Sequence, residues 1–216
     1  MDSKKKELIG NFRNPGARWC QAPDEVNVYD FPSQAQYRAT PYGIYDIASN
    51  QGHVCVGISS DTPQFAVDAI RGWYRSKGMA RYGESTEQLM IEADAGGSNG
   101  CRPRLWKYAL QLWADREGLE ITVCHYPSGA SKWNPIEHRL FSFISENWAG
   151  YPLRNLDIML ALIRGTQTRQ GLRVGAVRNL KTYPTQIKIT DEQMSTLNIH
   201  HHELCPKWNY TIKPRA

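Results

Sequence analysis

Two acidic residues, Asp94 and Glu137, stand where carboxylates commonly do chemistry. Residues 88–94, Gln-Leu-Met-Ile-Glu-Ala-Asp, have the character of a buried strand that ends in Asp94 before a glycine-rich turn. Residues 131–138 read as a loop entering a helix, with Glu137 in its first turn. Such positions can bring two acids to one sheet edge, where a divalent cation relieves their repulsion. The hypothesis to test is a metal-dependent phosphoryl-transfer site.

Each acid also has a structural alternative. Asp94 could hydrogen-bond the backbone of its own glycine turn. Asn134-Pro135-Ile136-Glu137 matches an N-cap, a proline at the first helical position and a carboxylate at the third, so Glu137 could close a capping box. The residues alone leave both alternatives open.

A third possibility is a serine nucleophile. Residues 96–100, Gly-Gly-Ser-Asn-Gly, fit the G-x-S-x-G pattern between a strand and a helix, as in α/β-hydrolases. Ser98 would then work with Glu137 or Asp157 and with one of His200–His202. The chain is short for that fold, and no His-Gly-Gly segment precedes Ser98. The hydrolase is therefore the weaker alternative.

Composition places the chain among ordinary globular proteins. Its 216 residues can bury one substantial core, and a net charge of +5 is compatible with nucleic acid. Five scattered cysteines indicate neither a zinc site nor a disulfide framework. No apolar stretch resembles a signal peptide or a membrane span, so we expect a cytoplasmic protein without a membrane partner.

Local patterns predict a mixed α/β sheet covered by helices. A hairpin over 42–58 comes first, followed by a helix after Thr62-Pro63 and the strand that ends at Asp94. The remaining predicted elements are a helix over 103–117, a strand over 119–124, and helices over 135–148 and 154–164.

Residues 165–188 are loop-like and carry basic residues without an acid, including Arg169, Arg173 and Arg178. They predict a flexible basic arm, either solvated or in contact with nucleic acid. The predicted division is a catalytic domain over 1–164 and a basic loop with a C-terminal extension over 165–216.

Several sequence blocks together carry a family resemblance. Tyr126-Pro127 and residues 133–138, Trp-Asn-Pro-Ile-Glu-His, resemble the block with the third acid of mariner-like DDE transposases. More closely, the chain resembles the catalytic region of the Rhodopirellula-type (ISAzo-group) insertion-sequence transposases almost end to end. The matching stretches are residues 2–12, 42–46, 93–100, 138–144 and 208–212.

The resemblance implies a ribonuclease-H-like fold in which Asp2, Asp94 and Glu137 bind two Mg²⁺ or Mn²⁺ ions, roughly 3.5–4 Å apart. It implies DNA cleavage followed by strand transfer, with transposon ends and target DNA as partners. It further implies a homo-oligomer on DNA and a place at the nucleoid. The residues expected to contact DNA are Lys4, Lys5, Lys6, Arg102, Arg104, Lys107, His138, Arg169, Arg173 and Arg178.

The front of the chain departs from the family pattern. Family members carry a helix-turn-helix region and an apolar strand before the first aspartate, whereas only Met1 precedes Asp2 here. We therefore expect a truncated transposase with an incomplete first strand, which would cleave poorly. The alternative of a different class is a non-catalytic DNA-binding remnant.

Overall fold

The computed structural model describes residues 1–28, 31–83 and 85–215. In chain order, the strands within these ranges are β1 Asp2–Ser3, β2 Glu7–Ile9, β3 Tyr37–Asp46, β4 Gln51–Gly57, β5 Gln88–Asp94, β6 Glu120–Tyr126, β7 Arg173–Asn179, β8 Ile199–His201 and β9 Asn209–Ile212. The α-helices are α1 Pro63–Trp73, α2 Met79–Tyr82, α3 Arg104–Glu117, α4 Ser142–Asn147, α5 Leu156–Arg164 and α6 Asp191–Ser195. Short 3₁₀ turns lie at Pro32–Gln34 and Ser131–Trp133, and π-helical segments at Tyr74–Gly78 and Glu137–Phe141.

The chain forms two compact units, each assembled from separate stretches. The first unit contains Met1–Asp2, Ser60–Asn134 and the described residues from Tyr183 onward. The second unit contains the described residues of Ser3–Ser59 and Pro135–Thr182. Both are mixed α/β units, as predicted, and the arrangement is consistent with a ribonuclease-H-like fold. The predicted domain division after residue 164 stays a prediction.

The sheet of the first unit has the order β5-β6-β9-β8. β5 and β6 run parallel, whereas β9 runs antiparallel to both of its neighbours, β6 and β8. Helix α3 packs on β6 and β9, and α1 packs on α3. Apolar side chains of this helix layer, including Trp106, Leu110 and Trp113, are almost fully buried. The layer therefore supports β5 and β6 from one side of the sheet.

A buried amide ties the β8–β9 hairpin to α3. Gln111 is fully buried, and its Nε2 donates to Lys213 O and to Asp115 Oδ1, both at 2.8 Å. Its Oε1 accepts from Asn198 N at 2.8 Å. Asp115 in turn accepts from the guanidinium of Arg215 at 2.6 and 2.9 Å. The Gln111 side chain thus bonds to the backbone just before β8, at Asn198, and just after β9, at Lys213.

The second sheet contains five strands, β1, β2, β3, β4 and β7. β3 is antiparallel to β2 and β4, and β7 runs parallel to β4. Helix α5 packs on β7, and the π segment Glu137–Phe141 packs on β3. A β-carbon on Gly43 of β3 would overlap the ring of Phe141, lying 2.7 Å from its Cζ, and would lie 3.0 Å from Ile136 Cδ1. This close approach fixes the segment that carries Glu137 against the hairpin.

Most of the locally encoded elements agree with the sequence predictions. The hairpin, the strand that ends at Asp94, helix α3 and the helices around residues 142–147 and 156–164 are confirmed. The N-cap prediction for Thr62 is also confirmed, since its side chain accepts from Phe65 N at 3.2 Å.

The prediction that 165–188 is a flexible basic arm is wrong for its middle part. Residues 173–179 form β7, which pairs in parallel with the whole of β4. The reason is an alternation of Leu172, Val174 and Ala176, which are buried, with exposed Arg173 between the first two. Burial of that apolar face outweighs the charge of its neighbours.

No helix in the described ranges is both long enough and apolar enough to span a bilayer.

We predict that Gln111→Met destabilises the protein by about 2 kcal/mol. Methionine has a similar volume, but it leaves Asn198 N–H and Lys213 C=O without their buried partner. Urea unfolding followed by circular dichroism measures the change. The control is Gln170→Met at an exposed position, which we expect to stay within about 0.5 kcal/mol of wild type. Equal stability of Gln111→Met and the control would contradict the role of this amide.

We predict that Gly43→Ala costs about 1–3 kcal/mol, because the added methyl group overlaps a rigid aromatic ring. The double variant Gly43→Ala/Phe141→Leu should recover part of the loss. Gly72→Ala in α1 is a matched control, since nothing lies within 4 Å of its added β-carbon. That control should stabilise the protein by about 1 kcal/mol. Thermal unfolding of the four proteins decides, and a Gly43→Ala protein as stable as wild type would refute the packing argument.

Candidate functional site

Asp94 occupies the carboxyl end of a strand in the first unit. It is the last residue of β5 and pairs in parallel register with Tyr126, the last residue of β6. Its carboxylate is half-buried, and Oδ1 accepts from Asn134 Nδ2 at 3.0 Å. Within the described ranges, no Lys or Arg pairs with this carboxylate and no group donates to Oδ2. One carboxylate oxygen is therefore oriented while the other keeps its acceptor capacity.

A chain of hydrogen bonds fixes the backbone of Asp94 from behind. His125 Nδ1 lies 3.0 Å from Asp94 O, and His125 Nε2 lies 3.2 Å from Tyr210 Oη. Trp106 Nε1 donates to the same Tyr210 Oη at 2.9 Å. Because a carbonyl oxygen only accepts and an indole N–H only donates, His125 Nδ1 and Trp106 Nε1 are donors, and Nε2 of a neutral imidazole is then an acceptor. Trp106 donates to Tyr210, Tyr210 donates to His125, and His125 donates to the Asp94 carbonyl; we name these three side chains the Asp94 relay.

The electrostatics of the relay keep its members neutral. Burial is the main cause that lowers the pKa of His125, with a smaller lowering by the Lys107 ammonium, although the bond to the Asp94 carbonyl and the Asp94 charge oppose it. Burial likewise raises the pKa of Tyr210 well above its usual range, and the bond from Trp106 opposes that rise. Neutral imidazole and neutral phenol are the forms that the relay's directions require.

A further carboxylate of the first unit, that of Glu92, lies close to Asp94. Glu92 is two residues before it on β5 and therefore on the same strand face, and Tyr126 Oη donates to Glu92 Oε2 at 2.6 Å. The partly buried Met1 ammonium donates to Glu92 O at 2.7 Å. Burial lowers the pKa of that ammonium to about 6, whereas Asp2, Glu92 and Asp94 each act to raise it. The burial cost at this ammonium thus exceeds the stabilisation that the three carboxylates provide.

The donor set around Asp94 fits a hard divalent cation in chemistry. Asp2 and Asp94 offer carboxylate oxygens, which are the ligands that Mg²⁺ prefers, and the Asp94 carboxylate has no pairing Lys or Arg among the described residues. Within the same ranges, no three His, Cys, Asp or Glu side chains approach closely enough to hold a metal ion. The described residues thus supply suitable ligand chemistry at Asp94 but no assembled metal-binding cluster.

Glu137, the third predicted acid, belongs to the second unit. It is half-buried and begins the π segment Glu137–Phe141, whose Leu140 and Phe141 are buried. The packing of Phe141 against Gly43 places the start of this segment, and hence Glu137, on the β3–β4 hairpin.

The predicted DNA-contacting residues of the first unit differ in their surroundings. Arg102 is exposed and has no ion-pair partner in the described ranges. Arg104 is paired with Asp191 at 2.5 Å and donates to Ile189 O. Lys107 is half-buried, and its ammonium lies 5.3 Å from the centroid of the Tyr210 ring.

The predicted DNA-contacting residues of the second unit show the same variety. Lys4 pairs with Glu7 at 3.5 Å and lies 5.0 Å from the ring of Trp148. Arg178 lies 3.6 Å from Asp157. The remaining members are all exposed to solvent: Lys5, Lys6, His138, Arg169 and Arg173. Their role on DNA stays a prediction.

The geometry does not support the serine-hydrolase alternative. Ser98 is buried, and its Oγ has no hydrogen-bond partner in the described ranges. The predicted histidines bond elsewhere: His200 Nε2 to Asn198 Oδ1, His201 Nδ1 to Pro206 O, and His202 Nε2 to Thr211 Oγ1. A nucleophile needs an exposed oxygen next to a base, and among the described residues Ser98 has neither.

Sequence reasoning missed the residues that hold Asp94 in place. The sequence pattern presents Asn134 solely as a helix cap, although its amide donates to the Asp94 carboxylate. The bonds of Tyr210 to Trp106 and His125 join residues 104 and 85 positions apart, and no local pattern reveals them. One signal was present: His125 falls at an inward-facing position of a strand, where a buried polar group needs partners.

Comparison with known proteins gives one family. A family model described as "Rhodopirellula transposase DDE domain" matches residues 1–214. Neither the curated proteins nor the solved structures contain a match to the chain. The match spans nearly the full sequence, and it includes the strand end at Asp94 and the helix start at Glu137. The chain therefore belongs to the Rhodopirellula transposase DDE domain family.

Proposed function

We propose that this DDE transposase domain cleaves DNA and transfers the cut strand in a reaction that depends on divalent metal ions. The family implies DNA as the partner and a divalent metal ion as the cofactor. Asp2, Asp94 and Glu137 are the proposed metal ligands, with Mg²⁺ or Mn²⁺ as the two ions. Glu137 is included because it lies in the family motif. Asp2 and Asp94 are included for the same reason, and also because both interact with the Met1 ammonium of the first unit.

The main support for this proposal is the set of hydrogen-bond partners around the Asp94 carboxylate. A half-buried carboxylate normally acquires a cationic partner or several donors, because an isolated buried charge is costly. Among the described residues Asp94 has a single donor, Asn134, and its backbone is held by the relay. An oriented carboxylate at a fixed strand end, with no Lys or Arg partner among the described residues, is what a metal ligand requires.

The proposed chemistry consists of two displacements at phosphorus. In the first, a water oxygen bonds to phosphorus, the bond to the 3′ oxygen breaks, and the 3′ oxygen takes up a proton. In the second, that 3′-hydroxyl bonds to a phosphorus of target DNA and releases a new 3′-hydroxyl there. The metal ions, when bound, activate the attacking oxygen and stabilise the leaving one. The protein's own part is to hold carboxylates and DNA phosphates in fixed positions.

The basic side chains are the proposed phosphate contacts. Arginine and lysine neutralise backbone phosphates and release counterions, which makes binding sensitive to salt. The residues proposed for this role are Lys4, Lys5, Lys6, Arg102, Arg104, Lys107, His138, Arg169, Arg173 and Arg178. A homo-oligomer on DNA is part of the same proposal.

We predict that Asp94→Asn and Glu137→Gln each lower metal-dependent nicking of plasmid DNA by about 100-fold or more, since metal ligation contributes several kcal/mol to the transition state. Both substitutions keep the side-chain shape, and an asparagine oxygen at position 94 can still accept from Asn134. Nicking is measured on gels with Mg²⁺, with Mn²⁺ and with a chelator.

The matched control is Glu146→Gln, an exposed acid in α4, which should nick like wild type. Wild-type rates in both site variants would refute the assignment. If the wild-type protein binds DNA in a salt-sensitive way but never nicks it with either metal, the non-catalytic DNA-binding alternative replaces the proposal.

We predict that Tyr210→Phe raises the Mg²⁺ concentration needed for half-maximal nicking by about 10- to 100-fold, as is typical for residues that orient metal ligands. The substitution leaves Trp106 Nε1 and His125 Nε2 without their shared partner. It should also cost about 1–3 kcal/mol of stability.

Tyr45→Phe is the control, because it also removes a phenolic hydroxyl, which donates to Asn50 Oδ1. That variant should keep the wild-type Mg²⁺ requirement. A Tyr210→Phe protein with lower stability but an unchanged Mg²⁺ curve would show that the relay is structural alone.

A further inference from the structure

A cavity of about 650 Å³ lies in the first unit beside the Asp94 relay. Its lining residues come from the loop between β5 and α3, from α3 itself and from the β8–β9 hairpin. They are Cys101, Arg102, Lys107, His201, Pro206, Lys207 and Trp208. Its size is that of a typical small-ligand site.

The charge of the cavity wall has one sign. Arg102, Lys107 and Lys207 are cationic, and none of the seven lining residues is acidic. None of these three cations has an ion pair or a hydrogen-bond partner for its charged group within the described ranges. By contrast, Arg104, Arg215 and Lys213 of the same unit are each paired with an acid. Three unpaired cations around one concavity form a site for an anion.

Lys107 is the most constrained of the three cations. It is half-buried, and burial lowers the pKa of its ammonium, with a small opposing effect from Cys101. Its Nζ lies over the face of the Tyr210 ring rather than beside a carboxylate. A desolvated ammonium without a carboxylate is stabilised by an oxyanion that binds to it.

An indole also lines the cavity, on a connection that is held by its own hydrogen bonds. Trp208 N donates to Cys205 O at 2.8 Å, and Asn209 Nδ2 donates to Leu204 O at 2.9 Å. His201 Nδ1 bonds to Pro206 O across the same connection. The wall that presents Trp208 is therefore formed before any ligand arrives, which reduces the entropy cost of binding.

Two backbone bonds join the cavity to the strand ends that hold the site. Cys101 N donates to the carbonyl of Ala95, the residue after Asp94, at 3.2 Å. His125 N donates to Trp208 O at 3.1 Å, and the ring of His125 bonds to the Asp94 carbonyl. A ligand in the cavity thus lies beside the carboxyl ends of β5 and β6, where Asp94 is.

We propose that this cavity binds an unpaired nucleotide of the DNA substrate, with its phosphate on Arg102, Lys107 and Lys207 and its base stacked on Trp208. Cations alone would serve any DNA phosphate. The presence of Trp208 in the same wall favours a base outside the duplex, since a paired base offers a protein mainly its edge. The inference rests on the proposed function for its ligand being DNA.

The test measures binding of fluorescent oligonucleotides by anisotropy, in a chelator and on the Asp94→Asn background, so that nothing is cleaved. The probes are a single strand, the same strand with abasic sites, and a blunt duplex, with inorganic phosphate as competitor. The variants are Trp208→Leu, Trp208→Phe and Lys207→Ala. The matched control is Arg116→Ala, an exposed cation on α3 outside the cavity.

We expect Trp208→Leu to weaken single-strand binding by about tenfold or more and Trp208→Phe to restore most of it, because stacking needs an aromatic face. Abasic sites should weaken wild-type binding and leave Trp208→Leu unaffected. Lys207→Ala should lower the slope of log affinity against log salt by about 0.7, whereas Arg116→Ala should leave the affinity and the slope as in wild type. A strand carrying 5-iododeoxyuridine should crosslink to Trp208 in wild type.

Equal affinity of Trp208→Leu and wild type for the single strand would overturn the proposal. So would equal wild-type affinity for the normal and the abasic strand, or complete competition by inorganic phosphate alone. Circular dichroism of each variant verifies folding, and the exposed Lys207→Ala provides an independent reading if Trp208→Leu unfolds. These binding measurements need no catalysis, so they test the nucleotide site independently of the proposed metal-dependent cleavage. The nicking rate of Asp94→Asn tests the cleavage proposal, and the binding of the oligonucleotides tests the nucleotide site.

Discussion

The geometry of the first unit depends on the directed hydrogen bonds that end on the carbonyl of Asp94. Trp106 comes from the helix layer, His125 from the neighbouring parallel strand and Tyr210 from the antiparallel hairpin. Each is buried, so each needs its partner, and the arrangement that satisfies all three also fixes the end of β5. Helix α3, β6 and β9 are therefore held together by the same atoms that set the position of the carboxylate.

The same principle explains why the supporting residues around the site are polar and buried. Gln111, Asn134 and Tyr210 are each at most 1% exposed, and each bonds to groups far away in the sequence. Such side chains contribute little net stability when paired, but they are costly when a partner is lost. They define one arrangement of α3 and the hairpin rather than a range of similar packings.

The sequence was informative wherever the signal is local. Thr62-Pro63 marks a helix start, Gly118 marks a helix end with its positive φ of 64°, and the strand before Asp94 has its predicted limits. β7 escaped prediction because Arg173 and Arg178 obscured a short apolar alternation, and its pairing with β4 is a long-range event. The same holds for the site. The position of Asp94 at a strand end could be predicted from the sequence, whereas the proximity of Glu92 and the hydrogen bonds of the relay are visible only in the folded structure. The partners of the basic residues were the hardest feature to predict. The sequence cannot distinguish Lys4, which contacts Glu7 and Trp148, from Lys207, which has no partner among the described residues.

The relay also imposes an order on the folding of the chain during synthesis. His125 and Trp106 emerge long before Tyr210, which follows them by 85 and 104 residues. Until the β8–β9 hairpin adds to β6, the imidazole and the indole have no phenol between them, and that edge of β6 remains open. A nascent chain can therefore form the parallel pair and α3 early, yet the end of β5 becomes rigid late, when the hairpin docks. In this protein the strand end that carries Asp94 is therefore fixed only after Tyr210 has been synthesised.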